Sequence, residues 1–188
     1  MLKRAFDVVF SGILLVALSP VMALVWIALR SSGIEPIFRQ ERPGYQTKPF
    51  IVVKFRTMRD GAGSDGARLT RLGTFLRRNS LDELPQLWSI LKGDLSFVGP
   101  RPLLMRYLPH YTSRQMRRHD VTPGVTGWAQ VHGRNLVAWE DRFELDLFYI
   151  ENRSFWLDLK ILLLTAKRVF TRHGVLPDAN VLLDDFGA

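Results

Sequence analysis

The segment Val8–Leu29 is almost wholly apolar and is bounded by Lys3, Arg4 and Arg30. Its length is near the roughly 20 residues a membrane-crossing helix needs, so the rest of the chain must be arranged around a lipid-seeking helix. A cleaved leader fits poorly, because the run is long and no small-x-small site follows it. Ser19-Pro20 interrupts the run. Pro20 has no N–H and its ring crowds the carbonyl of Val16, which predicts a kink or break. A carbonyl freed in hydrocarbon needs a partner, and the Ser19 hydroxyl is within reach. The segments after the run (Arg30, Arg39, Arg42, Lys48, Lys54, Arg56) are strongly basic, which favours a cytoplasmic body, and Lys3 and Arg4 ask the same of the N-terminus. A re-entrant helix-break-helix that enters and leaves by one face meets both demands; a kinked spanning helix meets one. The chain thus divides into a membrane segment, residues 1–32, and a membrane-associated body, residues 33–188.

The chain of 188 residues leaves enough sequence beyond this helix to bury a core. Its net charge of +8 favours anionic partners: nucleic acid, anionic lipid or phosphorylated substrates. It has no cysteine, which excludes disulfides, thiolate metal sites and cysteine nucleophiles. The pattern predicts an α+β, mainly helical fold. Residues 36–57 read as a β-hairpin with Pro-Gly turn chemistry at Arg42-Pro43-Gly44. Residues 60–67 read as a loop, Leu69–Arg78 and Leu84–Leu91 as short helices, the second ended by Lys92-Gly93. Residues 96–102 read as a Pro/Gly loop, Thr112–His119 as a polar helix, and 121–135 as a second Gly-rich stretch. Trp139–Ile150 carries a helical apolar stripe. Ser154 is placed to cap a last helix, Phe155–Arg172, which Gly174 ends. Basic residues among its broad apolar set suit an amphipathic helix at a membrane surface, and suit a core helix with a basic outer face equally.

Gly61-Ala62-Gly63-Ser64-Asp65-Gly66 spells the dinucleotide-binding pattern, but no second strand carries the acid that the fingerprint requires. The adjacent carboxylates Asp82 and Glu83 are more informative. Ser80-Leu81-Asp82-Glu83 also spells a capping box. Were Ser80 the cap, however, Pro85 would fall inside the helix and clash with the Leu81 carbonyl. The helix is therefore expected to start at or just after Asp82, with both acids at its N-terminus, where phosphate is attracted. An ionised carboxylate there can hold Mg2+ or attack phosphorus. From spacing alone, plain capping accounts for the pair. Basic residues shift that balance: Lys54 and Arg56, two apart on a strand; Arg77-Arg78; Arg101 between two prolines; and Arg134 on Gly133-Arg134-Asn135. Several arginines near two carboxylates suggest a diphosphate with a metal. His110, His119, His132 and His173 show no metal spacing, and neither a P-loop nor a D-x-D pattern is present.

At these residues the chain resembles the bacterial sugar transferase family, the monotopic phosphoglycosyl transferases. The resemblance runs nearly end to end. It rests on Ser19-Pro20, Arg42-Pro43-Gly44, Lys54-Phe55-Arg56-Thr57-Met58, Ser80 through Leu87, Lys92 through Ser96, Gly99-Pro100-Arg101-Pro102 and Pro123 through Gln130. It implies a re-entrant helix broken at Ser19-Pro20 and an active site on the cytoplasmic face of a bacterial inner membrane. It implies an Asp82-Glu83 dyad with Asp82 as nucleophile and metal ligand, and Mg2+ as cofactor. Asp82 would attack the sugar-bearing phosphate of a UDP-sugar, release UMP and form an aspartyl-phosphosugar, and polyprenyl phosphate, expected to be undecaprenyl phosphate, would then take the phosphosugar. Arg101 would contact the nucleotide; Lys54, Arg56, Arg78 and Arg134 would contact phosphate or sugar. The sequence carries no multi-span extension before its apolar helix, so it is similar to the minimal members that often handle N-acetylated sugars, and His132 stands where relatives usually carry Asn or Ser. The competing class is a membrane-anchored basic protein binding nucleic acid or anionic lipid. That class accounts for the charge and the apolar helix but leaves the acidic pair and the Pro-Arg-Pro loop without a role. No nucleic-acid partner is therefore expected.

Overall fold

The computed structural model describes residues 2–133 and 138–171. Helix α1 spans Leu2–Ser31 and contains Pro20. Helical backbone runs through the proline without interruption, so the expected break is not a break in the helix. Its chemical consequence is present: the Ser19 hydroxyl donates to the Val16 carbonyl at 2.8 Å, the acceptor that Pro20 leaves without an amide. The helix is long and apolar enough to cross a membrane, with a mean hydropathy of 2.5 over its most apolar window. One face is nonetheless packed against the body. Leu14, Leu15 and Leu18 pack with Leu87 and Ile90, and Met22, Val25 and Leu29 pack with Phe55 and Leu76. Asp7 and Ser11 continue that face and are buried. The steps of three and four residues between these positions are one stripe of an α-helix. The other face (Val9, Ile13, Val16, Leu24, Ile27) is bare.

Strands β1 (Ile37–Pro43) and β2 (Pro49–Phe55) form the expected antiparallel hairpin, closed by a 3-10 turn at Tyr45–Thr47 directly after Gly44. A single turn, α2 (Asp65–Arg68), interrupts the loop expected at 60–67. Helix α3 (Arg71–Arg78) starts at Thr70, whose hydroxyl accepts from the Gly73 amide at 2.8 Å. A 3-10 turn, Leu81–Glu83, precedes α4 (Gln86–Lys92), which Gly93 ends at φ 100°, the left-handed conformation a C-terminal glycine adopts without a Cβ penalty.

The Pro/Gly stretches hold more order than their composition suggests. Strand β3 (Ser96–Val98) pairs in parallel with β4 (Gly124–Thr126). Between them, Ser113–Met116 forms α5, capped by Thr112 and Gln115 in a reciprocal capping box, and the 3-10 turn Arg117–His119 follows. The β3–β4 crossing requires glycine on both segments. A Cβ on Gly124 would lie 2.1 Å from the Gly99 amide nitrogen, and one on Gly99 would lie 2.5 Å from the Thr122 carbonyl oxygen. Helices α6 (Trp128–Val131), α7 (Trp139–Asn152) and α8 (Phe155–Thr171) complete the described fold. Ser154 caps α8 as expected, accepting from the Leu157 amide at 3.1 Å. The expected stop at Gly174 lies outside the described residues.

The N-terminus of α1 is tied to the far end of the chain. Lys3 donates to Asp158 at 2.7 Å and to the Val98 carbonyl at 2.9 Å, and Tyr149 donates to the other Asp158 oxygen at 2.7 Å. Arg4 donates to the carbonyls of Ile90 and Leu91 at 2.6 and 2.7 Å, and Asp7 accepts from the Phe97 amide. These bonds fix α4, β3 and α8 against one end of α1.

Candidate active site

The acidic pair lies at the junction of α3 and α4. Pro85 occupies the N-cap of α4, so the helix begins at Gln86, after both acids. Asp82 and Glu83 stand in the preceding 3-10 turn, which corrects the expected helix start. Ser80 makes no side-chain cap and adopts φ 55°, ψ 21°, a left-handed backbone that is costly for a residue with a Cβ. The capping-box spelling is thus not used. The chain instead spends strain to turn sharply from α3 into the acids.

The two carboxylates have different surroundings. Glu83 Oε1 accepts from Lys54 Nζ at 2.6 Å and from Arg101 Nη2 at 2.9 Å. Lys54 comes from β2 and Arg101 from the loop after β3, so three remote segments meet at one oxygen. The Asp82 carboxylate makes no hydrogen bond or ion pair among the described residues. Burial opposes ionisation of Glu83, but Arg101 and Lys54 overcome it and hold the group well below the usual carboxylate range. Asp82 is pushed up, by burial first and by the Glu83 charge second, against the pull of Lys54, Arg77 and Arg101. Burial also pushes the Lys54 ammonium down, with Glu83 opposing, while Glu83 raises Arg101.

Lys54 and Arg101 therefore meet at the dyad. Arg56 is directed elsewhere: it pairs with Asp60 and donates to the Glu35 carbonyl at 3.1 Å and the Ile37 carbonyl at 3.4 Å. Arg78 is exposed and makes no hydrogen bond or ion pair among the described residues. Its neighbour Arg77 is the one tied to the body near the acids. Arg77 Nε donates to the buried Thr57 hydroxyl at 2.9 Å, and its charge acts on Asp82. Sequence could not separate Arg77 from Arg78; Thr57, in the Lys54–Met58 motif, is the partner that selects it. Arg134 lies outside the described residues.

The Pro-Arg-Pro loop is held by its backbone. Three successive carbonyls accept from three different segments: Pro100 from the Gly124 amide at 3.0 Å, Arg101 from Arg118 Nη2 at 2.8 Å, and Pro102 from Arg42 Nη1 at 3.5 Å. Arg42 belongs to the Arg42-Pro43-Gly44 motif, whereas Arg118 was not singled out by any local pattern. Burial first and the neighbouring Arg101 charge second push the Arg42 guanidinium down to about 10.

Among the described residues no cluster of three or more metal-ligating side chains occurs. A dedicated protein cage is not what Mg2+ requires, since it commonly takes one or two carboxylates and completes its shell with water and substrate phosphates. Asp82, partly buried and without a partner, fits that requirement; Glu83 Oε1, already occupied twice, does not.

A small, mainly helical body on a packed apolar helix, with a paired and an unpaired carboxylate among arginines, defines a candidate phosphate-chemistry site. The description "bacterial sugar transferase" matches residues 1–172, and the chain belongs to that family. It is 49 % identical over 192 residues to the uncharacterized sugar transferase EpsL of Bacillus subtilis, covering 98 % of this chain and 95 % of that protein. It is 42 % identical to the UDP-glucose:undecaprenyl-phosphate glucose-1-phosphate transferase of Escherichia coli, over 93 % of this chain and 41 % of the relative. It is 37 % identical to the undecaprenyl-phosphate galactose phosphotransferase of Salmonella typhimurium, over 92 % of this chain and 41 % of the relative. The chain thus spans nearly all of the first protein and about two fifths of the other two.

The opposite displacements of the two acids have opposite effects on stability. A depressed folded pKa gives Glu83 a contribution present at neutral pH and lost as pH falls through that value; a raised one makes ionised Asp82 a liability that grows as pH rises through it. At pH 7, Asp82→Asn is expected to melt at or above the wild-type temperature. Glu83→Gln strands two cations and is expected to cost about 2 kcal/mol, some 4–8 °C for a chain of this size. Thermal unfolding in nanodiscs checks both, and an Asp82→Asn protein melting well below wild type contradicts the account.

Proposed function

We propose that this protein is a phosphoglycosyl transferase that moves a sugar-1-phosphate from a UDP-sugar to undecaprenyl phosphate through an aspartyl intermediate on Asp82. The observation that carries this reading is the unequal dyad: Glu83 is neutralised by Lys54 and Arg101, and Asp82 is left without a partner beside them. A nucleophile bound by two cations would have its lone pairs occupied; an unpartnered, partly desolvated carboxylate keeps them available. In the first step an Asp82 oxygen bonds to the sugar-bearing phosphorus, the bond from that phosphorus to the bridging oxygen breaks, and UMP leaves with the electron pair. In the second, an oxygen of the polyprenyl phosphate attacks the same phosphorus, the aspartyl P–O bond breaks, and the carboxylate is regenerated. Two anionic partners thereby use one site in turn. Arg101 and Lys54 offset negative charge where it collects, and Arg77 adds a third cation. Asp82 is the residue that would hold Mg2+, which when bound would offset charge on the diphosphate. The names of the Escherichia coli and Salmonella relatives support the donor and acceptor classes. The sugar is the finer point: an N-acetylated sugar is the expectation from resemblance, against the glucose and galactose of those names.

The same reading makes the protein monotopic in a bacterial inner membrane with the site on the cytoplasmic face. What supports it is that both ends of α1 are fastened to one body, Lys3 and Arg4 at one end and Val25 and Leu29 at the other. A helix crossing some 30 Å of hydrocarbon would leave one set of partners on the wrong side. The bare aromatic and aliphatic side chains Trp88, Trp156 and Leu163 lie outside α1 and suit an interface.

Two measurements check these proposals. Without lipid acceptor, labelled UMP is expected to exchange into one or more members of a UDP-sugar panel that includes glucose, galactose and their N-acetylated forms, and to do so only when Asp82 is present; no exchange with any sugar counts against the two-step route. A single cysteine, Leu2→Cys, in this cysteine-free chain is expected to resist an impermeant maleimide in intact spheroplasts and to react after permeabilisation. Labelling from outside contradicts the re-entrant arrangement.

A further inference from the structure

Arg118 and Asp146 form a buried ion pair remote in sequence from every motif that reaches the dyad. Arg118 is 3 % exposed and Asp146 2 %. Arg118 Nη2 and Nε both donate to Asp146 Oδ2, at 2.7 and 3.2 Å, and Nη1 donates to the Tyr111 hydroxyl at 3.2 Å. The guanidinium also stands over the rings of Tyr111 and Phe143, at 5.8 and 5.6 Å from their centroids. A pair of this kind is a poor device for stability alone. Two charges lose their hydration, and an apolar pair of similar volume is often as stable or more so. Arg118 Nη2 also donates to the Arg101 carbonyl at 2.8 Å, which links the cluster to the catalytic region. Arg101 lies between two prolines, so its backbone has little freedom except to move with the loop. Its side chain is the one that meets Glu83.

We infer that Arg118, aligned by Asp146 on α7, is a positioning residue that sets the Arg101 guanidinium against Glu83 by holding the Arg101 carbonyl. The inference rests on the reading of Arg101 and the dyad as the phosphate-transfer site. Asp146 fixes the plane of the Arg118 fork, Tyr111 fixes its rotation, and the second Nη2 hydrogen is aimed at one backbone oxygen. The neighbouring bonds to the Pro100 and Pro102 carbonyls hold the loop on either side, and the bond to the Arg101 carbonyl itself, at 2.8 Å, is the shortest of the three. A displacement near 1 Å from such a loss costs on the order of 100-fold in rate at a preorganised site.

The test replaces the pair by apolar side chains, Arg118→Met with Asp146→Leu, so that neither member of the pair is left without the other. UMP release from the UDP-sugar is then followed in the wild-type and Arg101→Ala backgrounds. The double change is expected to keep the melting temperature within a few degrees and to lower kcat by about 10–100-fold. In the Arg101→Ala background the same change is expected to lower kcat by less than about threefold, because the group it positions is gone. Equal losses in both backgrounds, or turnover within about twofold of wild type, overturn the inference. Arg118→Lys serves where the double variant does not fold. It keeps the charge but not the fork, and is expected to show the same dependence on Arg101. A second arm needs no turnover: phenylglyoxal modification of Arg101, mapped by mass spectrometry, is expected to run several-fold faster in either variant. An unchanged rate overturns the inference even if the protein consumes no UDP-sugar. A wild-type protein without Asp82-dependent UMP release overturns only the functional reading.

Discussion

The site depends on one oxygen, Glu83 Oε1, bonded at once to Lys54 and to Arg101. Those three residues come from the 3-10 turn before α4, from β2 and from the loop after β3, so the contact fixes three segments relative to one another. It also separates two adjacent acids into different roles. Glu83 spends its charge on the cations. Asp82, one residue away, is desolvated and has no partner, and its proton affinity rises. An arrangement made only for stability would pair both acids or expose both. Leaving one bare is costly, and the left-handed Ser80 just before it adds backbone strain at the same place.

The rest of the body explains how that contact is kept. The parallel pairing of β3 with β4 lets two Gly-containing segments cross backbone to backbone, which no side chain would permit. The Pro-Arg-Pro loop leaves that crossing with each of its three carbonyls engaged. On the other flank, Lys3, Arg4 and Asp7 of α1 bind α8, α4 and β3. The apolar helix α1 is therefore part of the scaffold of the site. Its packed stripe belongs to two hydrophobic clusters of the body, while the opposite face exposes mainly apolar side chains, among them Val9, Ile13, Val16, Leu24 and Ile27.

Much of this was legible in the sequence where the signal is local. Pro85 argued correctly that Ser80 could not cap the following helix, although it displaced the helix start further than expected, to Gln86. Ser154 and Gly93 marked helix ends by well-understood chemistry. The Ser19 hydroxyl was the nearest donor to the carbonyl freed by Pro20, and it is the one used. The misses are non-local. Three-residue strands in Pro/Gly-rich stretches carry no alternation to read, so β3 and β4 looked like loops; only the partner, 28 residues away, makes either a strand. Arg56 shares a strand face with Lys54 by periodicity, but β2 ends at Phe55, and Arg56 turns to Asp60 and to the Glu35 and Ile37 carbonyls instead. The choice of Arg77 over Arg78 depends on Thr57, and Arg118 with Asp146 is a pairing between elements that no window of sequence contains.

The central claim is that the division of labour within the dyad makes Asp82 the group that bonds to phosphorus. Intact-mass measurement of wild-type, Asp82→Asn and Glu83→Gln proteins, each incubated with a UDP-sugar and Mg2+ without lipid acceptor, tests it most directly. The account predicts a mass increase equal to one phosphosugar on wild type, a slower but detectable increase of the same size on Glu83→Gln, and none on Asp82→Asn. The same increase on Asp82→Asn would contradict it.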